Sequence, residues 1–150
     1  MEERDIKKIL EIIIKRLDNQ NVSWQLEGSA NLFVQGIDIS IRDLDITTNE
    51  KYIAIFREYL KDFIVKDYFS EKIKGSSLIC NINGFEVEIC CYNNKNPVSL
   101  ENSKYIKWNN LSIPINPLEK ALEFYKFINY KDKVKLIEDF LATIPSTKNN

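Results

Sequence analysis

Residues 24–48 read WQLEGSANLFVQGIDISIRDLDITT, joining a short apolar run that ends in Gly28-Ser29 to an Asp-x-Asp pair, Asp43 and Asp45, set in a second apolar run. Strand side chains alternate with period two, so the two aspartates are expected on one face, about 7 Å apart along the backbone. Like charges so placed repel each other, and a divalent cation is the most economical way to offset them. The plain alternative is a solvated face of an antiparallel strand. Upstream, Gly28 lets the backbone approach a ligand closely. The Ser29 hydroxyl, with the free N–H groups of a helix starting there, suits an anion; the alternative is an ordinary strand-to-helix turn capped by serine. Arg42 is placed either on a phosphate or against an acid.

Working outward, Ile6, Ile9, Leu10, Ile13 and Leu17 recur at helical spacing and predict a helix over 3–18. Val22, Trp24 and Leu26 alternate with polar residues as a half-buried strand, and Ala30 to Gln35 reads as a short helix closed by Gly36. A strand follows over 43–48. Thr48 or Asn49 is the expected cap of a helix whose inner face is Ile53, Phe56, Tyr59, Leu60 and Phe63. An extended segment over 63–69 comes next. Asn83-Gly84 predicts a type I′ hairpin between 76–82 and 85–91, with Glu86 and Glu88 on one face of the second strand and Phe85, Val87 and Ile89 on the other. Residues 93–103 read as a polar loop, and a second hairpin turns at Asn109-Asn110. Asn116-Pro117-Leu118-Glu119 opens a helix by cap and proline, a last helix carries Val134, Ile137, Phe140 and Leu141, and 146–150 form a frayed tail. The elements mix without strict βαβ alternation. The expected class is therefore α+β, a mixed β-sheet with helices packed mainly on one face, in a single domain over 1–150 with helices 116–144 packed on it.

The 150 residues, 44% hydrophobic and 29% charged, are those of an ordinary globular chain. A net charge of −1 gives no bulk case for binding nucleic acid. No apolar run reaches the ~20 residues of a membrane span, and the opening MEERDIKK lacks a leader's apolar stretch, so a cytoplasmic location is expected. Cys80, Cys90 and Cys91 lie in strand-like runs and read as reduced, structural thiols. Trp24 and Trp108 read as core aromatics. Lys120, Tyr125 and Lys126 could reach a ligand, though Tyr125 falls on an apolar stripe and the lysines suit a solvated surface. Histidine is absent. That excludes Ser-His and Cys-His nucleophile systems, histidine general bases and His-ligated metals, leaving carboxylates, Lys, Tyr, Arg, backbone amides and hard metal ions.

An apolar strand, Gly28-Ser29, a gap, then Asp43-x-Asp45 in an apolar strand resembles the nucleotidyltransferase superfamily related to DNA polymerase beta. Val87-Glu88-Ile89 is similar to the later strand that carries the family's third carboxylate. Glu86 competes with Glu88 for that role, and Glu88 is favoured by its strand-centre flanks. The ordered motifs are similar to small bacterial proteins related to lincosamide and aminoglycoside nucleotidyltransferases. The resemblance implies that Asp43, Asp45 and Glu88 hold one or two Mg²⁺ ions and are catalytic. Gly28 and Ser29, with Arg42 nearby, would bind the phosphates of an NTP. A nucleoside monophosphate would pass to a hydroxyl acceptor (small molecule, protein or RNA) with pyrophosphate leaving. The alternative is a catalytically silent nucleotide-binding or toxin–antitoxin-type regulatory protein of the same fold. Two departures stand out. Position 27 is Glu where the family is often apolar, and strand alternation lets it point away from the phosphates. The chain is also short, so only 115–144 could serve the acceptor, and a homodimer stays open.

Overall fold

The computed structural model describes residues 1–92 and 99–145. The polar loop expected at 93–103 falls partly outside the described residues, and the tail at 146–150 wholly so. Among the described residues, seven strands form one sheet: β1 (Gln25–Glu27), β2 (Leu44–Thr48), β3 (Ile64–Ser70), β4 (Gly75–Ile82), β5 (Phe85–Cys91), β6 (Lys104–Trp108) and β7 (Leu111–Ile115). Their order is β3-β4-β5-β2-β1-β7-β6. β2 runs parallel to β5 and β1 parallel to β7, while the other pairs are antiparallel. This is the mixed α+β sheet that the sequence implied. Both hairpin turns have the expected chemistry. Asn83 and Gly84 sit at φ 55 and 86, and Asn109 and Asn110 at φ 49 and 66, as a type I′ turn requires.

Register explains how the sheet divides its two faces, because residues paired across strands point the same way. Leu78, Ile89, Ile46 and Leu26 stand abreast across β4, β5, β2 and β1. They are 0–1% exposed. Against them pack α1 (Glu3–Arg16), through Ile6, Ile9, Leu10 and Ile13, and α3 (Ile53–Tyr59), through Ile53 and Phe56. Each such side chain contributes roughly 1.5–3 kcal/mol on burial. α2 (Gly28–Val34) bridges to a second cluster: its Leu32, with Ile37, packs on α4 (Leu118–Phe127) and α5 (Lys131–Thr143) through Leu118, Ala121, Phe124, Tyr125 and Ile137.

Four local expectations shift. β1 begins at Gln25 and is buried at every position, because it lies inside the sheet between β2 and β7; its alternation is not that of a half-solvated strand. β2 begins at Leu44, so Asp43 sits in the bend before it. Asn49 Oδ1 accepts the Lys51 N–H at 3.1 Å, capping a turn from which α3 starts later, at Ile53. Pro117 is itself the N-cap residue of α4, and Asn116 instead turns its side chain into the interior.

Candidate active site

One residue along from the apolar row, Glu88, Asp45 and Glu27 stand abreast on the opposite face of β5, β2 and β1. Two residues further, Cys90, Thr47 and Gln25 form a second row on that same face. All but Gln25 line one cleft of about 340 Å³, whose other wall is Tyr92 and, from the C-terminal helices and the turn between them, Phe124, Tyr125, Ile128, Tyr130 and Lys133. Tyr92 meets Phe124 edge-on with ring centroids 5.7 Å apart, and Phe124 leans on Tyr125 at 5.5 Å. The cleft thus has an acidic floor and an aromatic side.

Gly28 and Ser29 open onto it. Gly28 has φ +66, and a Cβ built there would collide with Asp45 Oδ2. Both facts demand glycine, since only the bare backbone fits in that conformation against the carboxylate. Ser29 is the second residue of a helix of seven residues that begins at Gly28. So short a helix has little macrodipole, and the cation at this end of the cleft is a side chain instead. Lys133 Nζ donates to Ser29 Oγ at 2.6 Å. It stands 5.3 and 5.6 Å from the ring centroids of Tyr125 and Tyr130. Burial lowers the Lys133 pKa, and the charges of Asp45 and Asp43 oppose that shift. Ser29 and Lys133 together offer a hydroxyl and an ammonium to an anion.

Asp45 is the focus of the electrostatics. Burial pushes its carboxyl up to about 7, and the charges of Asp43 and Glu88 add to the rise while Lys133 counteracts it. Glu88 Oε2 accepts the Tyr68 hydroxyl of β3 at 3.3 Å. Among the described residues, no three His, Cys, Asp or Glu side chains converge closely enough to hold an ion in this conformation. The donor chemistry nonetheless fits a hard divalent ion: oxygen-only carboxylates, mutually repelling around Asp45, in a chain without histidine.

Glu27 departs from expectation. Its cross-strand partner is Asp45, so it shares the cleft face rather than pointing away. It is 8% exposed. Gln25 Nε2 donates to Oε1 at 2.6 Å and Asn116 Nδ2 to Oε2 at 3.2 Å. Burial pushes this carboxyl up to about 7 in spite of both hydrogen bonds. Asn116 is tied in turn to α2: Asn31 Nδ2 donates to the Asn116 carbonyl at 2.8 Å, and the Asn116 N–H donates back to Asn31 Oδ1 at 3.1 Å. This reciprocal pair fastens the start of α4 to the Gly28-Ser29 turn, and α4 carries the aromatic wall.

The sequence-derived residues are gathered unevenly. Gly28, Ser29, Asp45 and Glu88 line the cleft. Asp43 lies just outside the lining, half-buried, and acts on Asp45 through its charge. Arg42 is exposed and outside the lining. Glu86 is exposed and pairs with Asn81 in the hairpin, so Glu88 is the one set beside Asp45. Tyr125 lines the cleft at 5% exposure, whereas Lys120 and Lys126 pair with Glu123 and Glu138. Lys133, Thr47 and Tyr68 were not singled out from sequence. Lys133 carries no local signal, because its proximity to Ser29 arises from helix packing across 104 residues. No helix among the described residues is long and apolar enough to cross a membrane.

No protein-family model matches the chain, and no curated protein sequence matches it significantly. Solved structures do. A candidate nucleotidyltransferase from Thermotoga maritima superposes with a TM-score of 0.76 at 24% identity, over 96% of this chain and 97% of that one. The lincosamide antibiotic adenylyltransferase LnuA, solved with lincomycin bound, gives 0.62 at 14% identity over 92% and 97%. The antibiotic-resistance factor ANT(2″)-Ia gives 0.67 at 8% identity over 93% and 86%. At such identities the likeness bears on architecture, and the architecture of this chain is that of the nucleotidyltransferases.

Proposed function

We propose that the protein transfers a nucleoside monophosphate from an NTP to a hydroxyl acceptor, with Mg²⁺, releasing pyrophosphate. The observation that carries this reading is the pairing of Asp45 with Glu88 on adjacent parallel strands, directly against Gly28-Ser29 and Lys133. Asp43, Asp45 and Glu88 are the residues that would hold Mg²⁺, which when bound neutralises charge on the phosphates and polarises the P–O bonds. Ser29 and Lys133 bind the terminal phosphates, and the Gly28 backbone lets them approach Asp45. Arg42, exposed beside Asp43, is at most an outer phosphate contact. The acceptor oxygen bonds to the α-phosphorus as the bond to the pyrophosphate oxygen breaks, and Glu88 takes the hydroxyl proton. One domain over 1–150 supplies all of this, and α4 and α5 stand in for a separate acceptor domain. Lincomycin, bound in the LnuA structure, and tobramycin, whose adenylyl form is bound in the ANT(2″)-Ia structure, are the hydroxyl compounds to try first.

The test is pyrophosphate release from each NTP with a panel of hydroxyl acceptors, in the wild type and in Asp45→Asn. Release that depends on acceptor, Mg²⁺ and Asp45 supports the reading. A second reading is a catalytically silent nucleotide-binding or regulatory protein of the same fold, and the position of Asp43 outside the cleft lining favours it. Mg²⁺-dependent NTP binding without release across the panel is its expected signature.

A further inference from the structure

The acidic floor extends past the residues used above. Glu27 lies one strand over from Asp45, about 5 Å away between backbones, and Thr47 lies two residues along β2, about 7 Å from Asp45. Both side chains are more than nine-tenths buried, at 8% and 3% exposure, and both line the cleft. Thr47 Oγ1 lies toward the Glu27 carboxyl and favours its charged form, but no hydrogen bond of ordinary geometry reaches this hydroxyl among the described residues. Each Glu27 oxygen accepts one side-chain amide, and a carboxylate oxygen can accept a second hydrogen bond. An unpartnered buried hydroxyl in a cleft calls for a polar group to complete it.

Resting on the nucleotidyl-transfer reading, we infer that Glu27 and Thr47 form a ribose subsite that reads the sugar hydroxyls of the bound nucleotide and selects ribonucleotides. The placement follows from covalent geometry. With the α-phosphate at Asp45, the sugar is joined to it through a single C5′–O link, so its hydroxyls fall within reach of the next strand and the next residue pair. The chemistry matches as well. A ribose 2′- or 3′-hydroxyl donates to the free acceptor site on Glu27, as acidic side chains do in other nucleotide sites, and Thr47 Oγ1 completes the pair. A base carried on that sugar meets the Tyr92–Phe124–Tyr125 wall. Glu27 is therefore a specificity residue.

The experiment is calorimetric titration with Mg²⁺ of ATP and GTP, their 2′-deoxy and 3′-deoxy forms, and inorganic triphosphate. Wild type, Thr47→Val and Glu27→Gln are compared. Thr47→Val is isosteric and removes a hydroxyl that makes no hydrogen bond of ordinary geometry to a described group, so its fold is retained. In Glu27→Gln the Asn116 amide can flip to present its unpartnered Oδ1 to the new N–H. The wild type is expected to bind the ribonucleotide at least ~10-fold more tightly than one of the deoxy forms, the worth of a hydrogen bond to a charged group. Either substitution is expected to collapse that ratio while leaving inorganic triphosphate binding unchanged. Equal wild-type affinity for ribo and deoxy forms overturns the ribose subsite alone, as does a ratio that survives both substitutions. Failure of inorganic triphosphate and every nucleotide to bind with Mg²⁺ overturns the nucleotidyl-transfer reading and this subsite with it.

Discussion

The two faces of the sheet differ by one residue in register and by almost everything in chemistry. Leu26, Ile46 and Ile89 are abreast on the face that α1 and α3 cover; Glu27, Asp45 and Glu88, each one neighbour away, are abreast on the other. The first face is closed by helices, and its free energy comes from apolar burial. The second keeps three carboxylates in a cleft, two of them with raised pKa because burial disfavours their charge. Such a row costs stability, which is the pattern of a site kept for a ligand rather than for folding. One face makes the molecule stable. The other spends some of that stability.

The comparison breaks most readily at Asp45. Asp45→Asn is expected to lower turnover by ~10³-fold, about the effect of deleting a principal charge stabiliser in an active site, while folding remains intact. Pyrophosphate release and a urea melt measure the two together; if turnover persists, the polar face is not catalytic. The neighbouring pair Ile89 and Glu88 should then divide cleanly. Ile89→Ala is expected to cost ~2–5 kcal/mol by urea denaturation. Glu88→Gln, on the opposite face, should stay within about 0.5–1 kcal/mol.

pH probes the same contrast. Asp45 and Glu27 are both held near 7 when folded, against ordinary carboxylate values near 4 when unfolded. Between those values the folded state keeps protons that the unfolded state has released, so the contribution of these two groups to stability is full below about pH 4 and is lost as pH rises through 7. The chain has no histidine to titrate in this window. The urea midpoint is therefore expected to be higher at pH 5 than at pH 8, and Asp45→Asn should shrink the difference. A flat profile would contradict the burial of these carboxylates. The smallest expected effect is at Lys133. Lys133→Met loses the contact with Ser29, and NTP affinity should fall ~10-fold with little change in melting temperature, because the lysine is itself partly desolvated.

What could be read from sequence follows the same division. The apolar face was visible because Ile6, Ile9, Leu10 and Ile13 on a helix, and Val87 and Ile89 on a strand, announce their period directly. Asn83-Gly84 announced its turn through the positive φ both positions adopt. Gly28, Ser29, Asp45 and Glu88 were legible as an ordered motif, and the sheet brings all four to one cleft. The strand bounds around Asp43 were not, because alternation does not tell where pairing begins. Glu27 was misdirected by the same rule. Alternation along β1 says nothing of which face is the cleft, whereas pairing with Asp45 decides it. Lys133, Asn116 and Tyr68 reach their partners across 104, 89 and 20 residues, contacts that only tertiary packing specifies.

The most direct test is the melting temperature of the protein with NTP and Mg²⁺, measured for the wild type and for Asp43→Asn combined with Asp45→Asn. A ligand bound only by the folded state raises that temperature by mass action. The wild type is expected to show a rise that needs both Mg²⁺ and NTP, and the double substitution is expected to abolish it. An equal rise in the double variant, or none in the wild type with any NTP, would contradict the carboxylate row as a metal–nucleotide site.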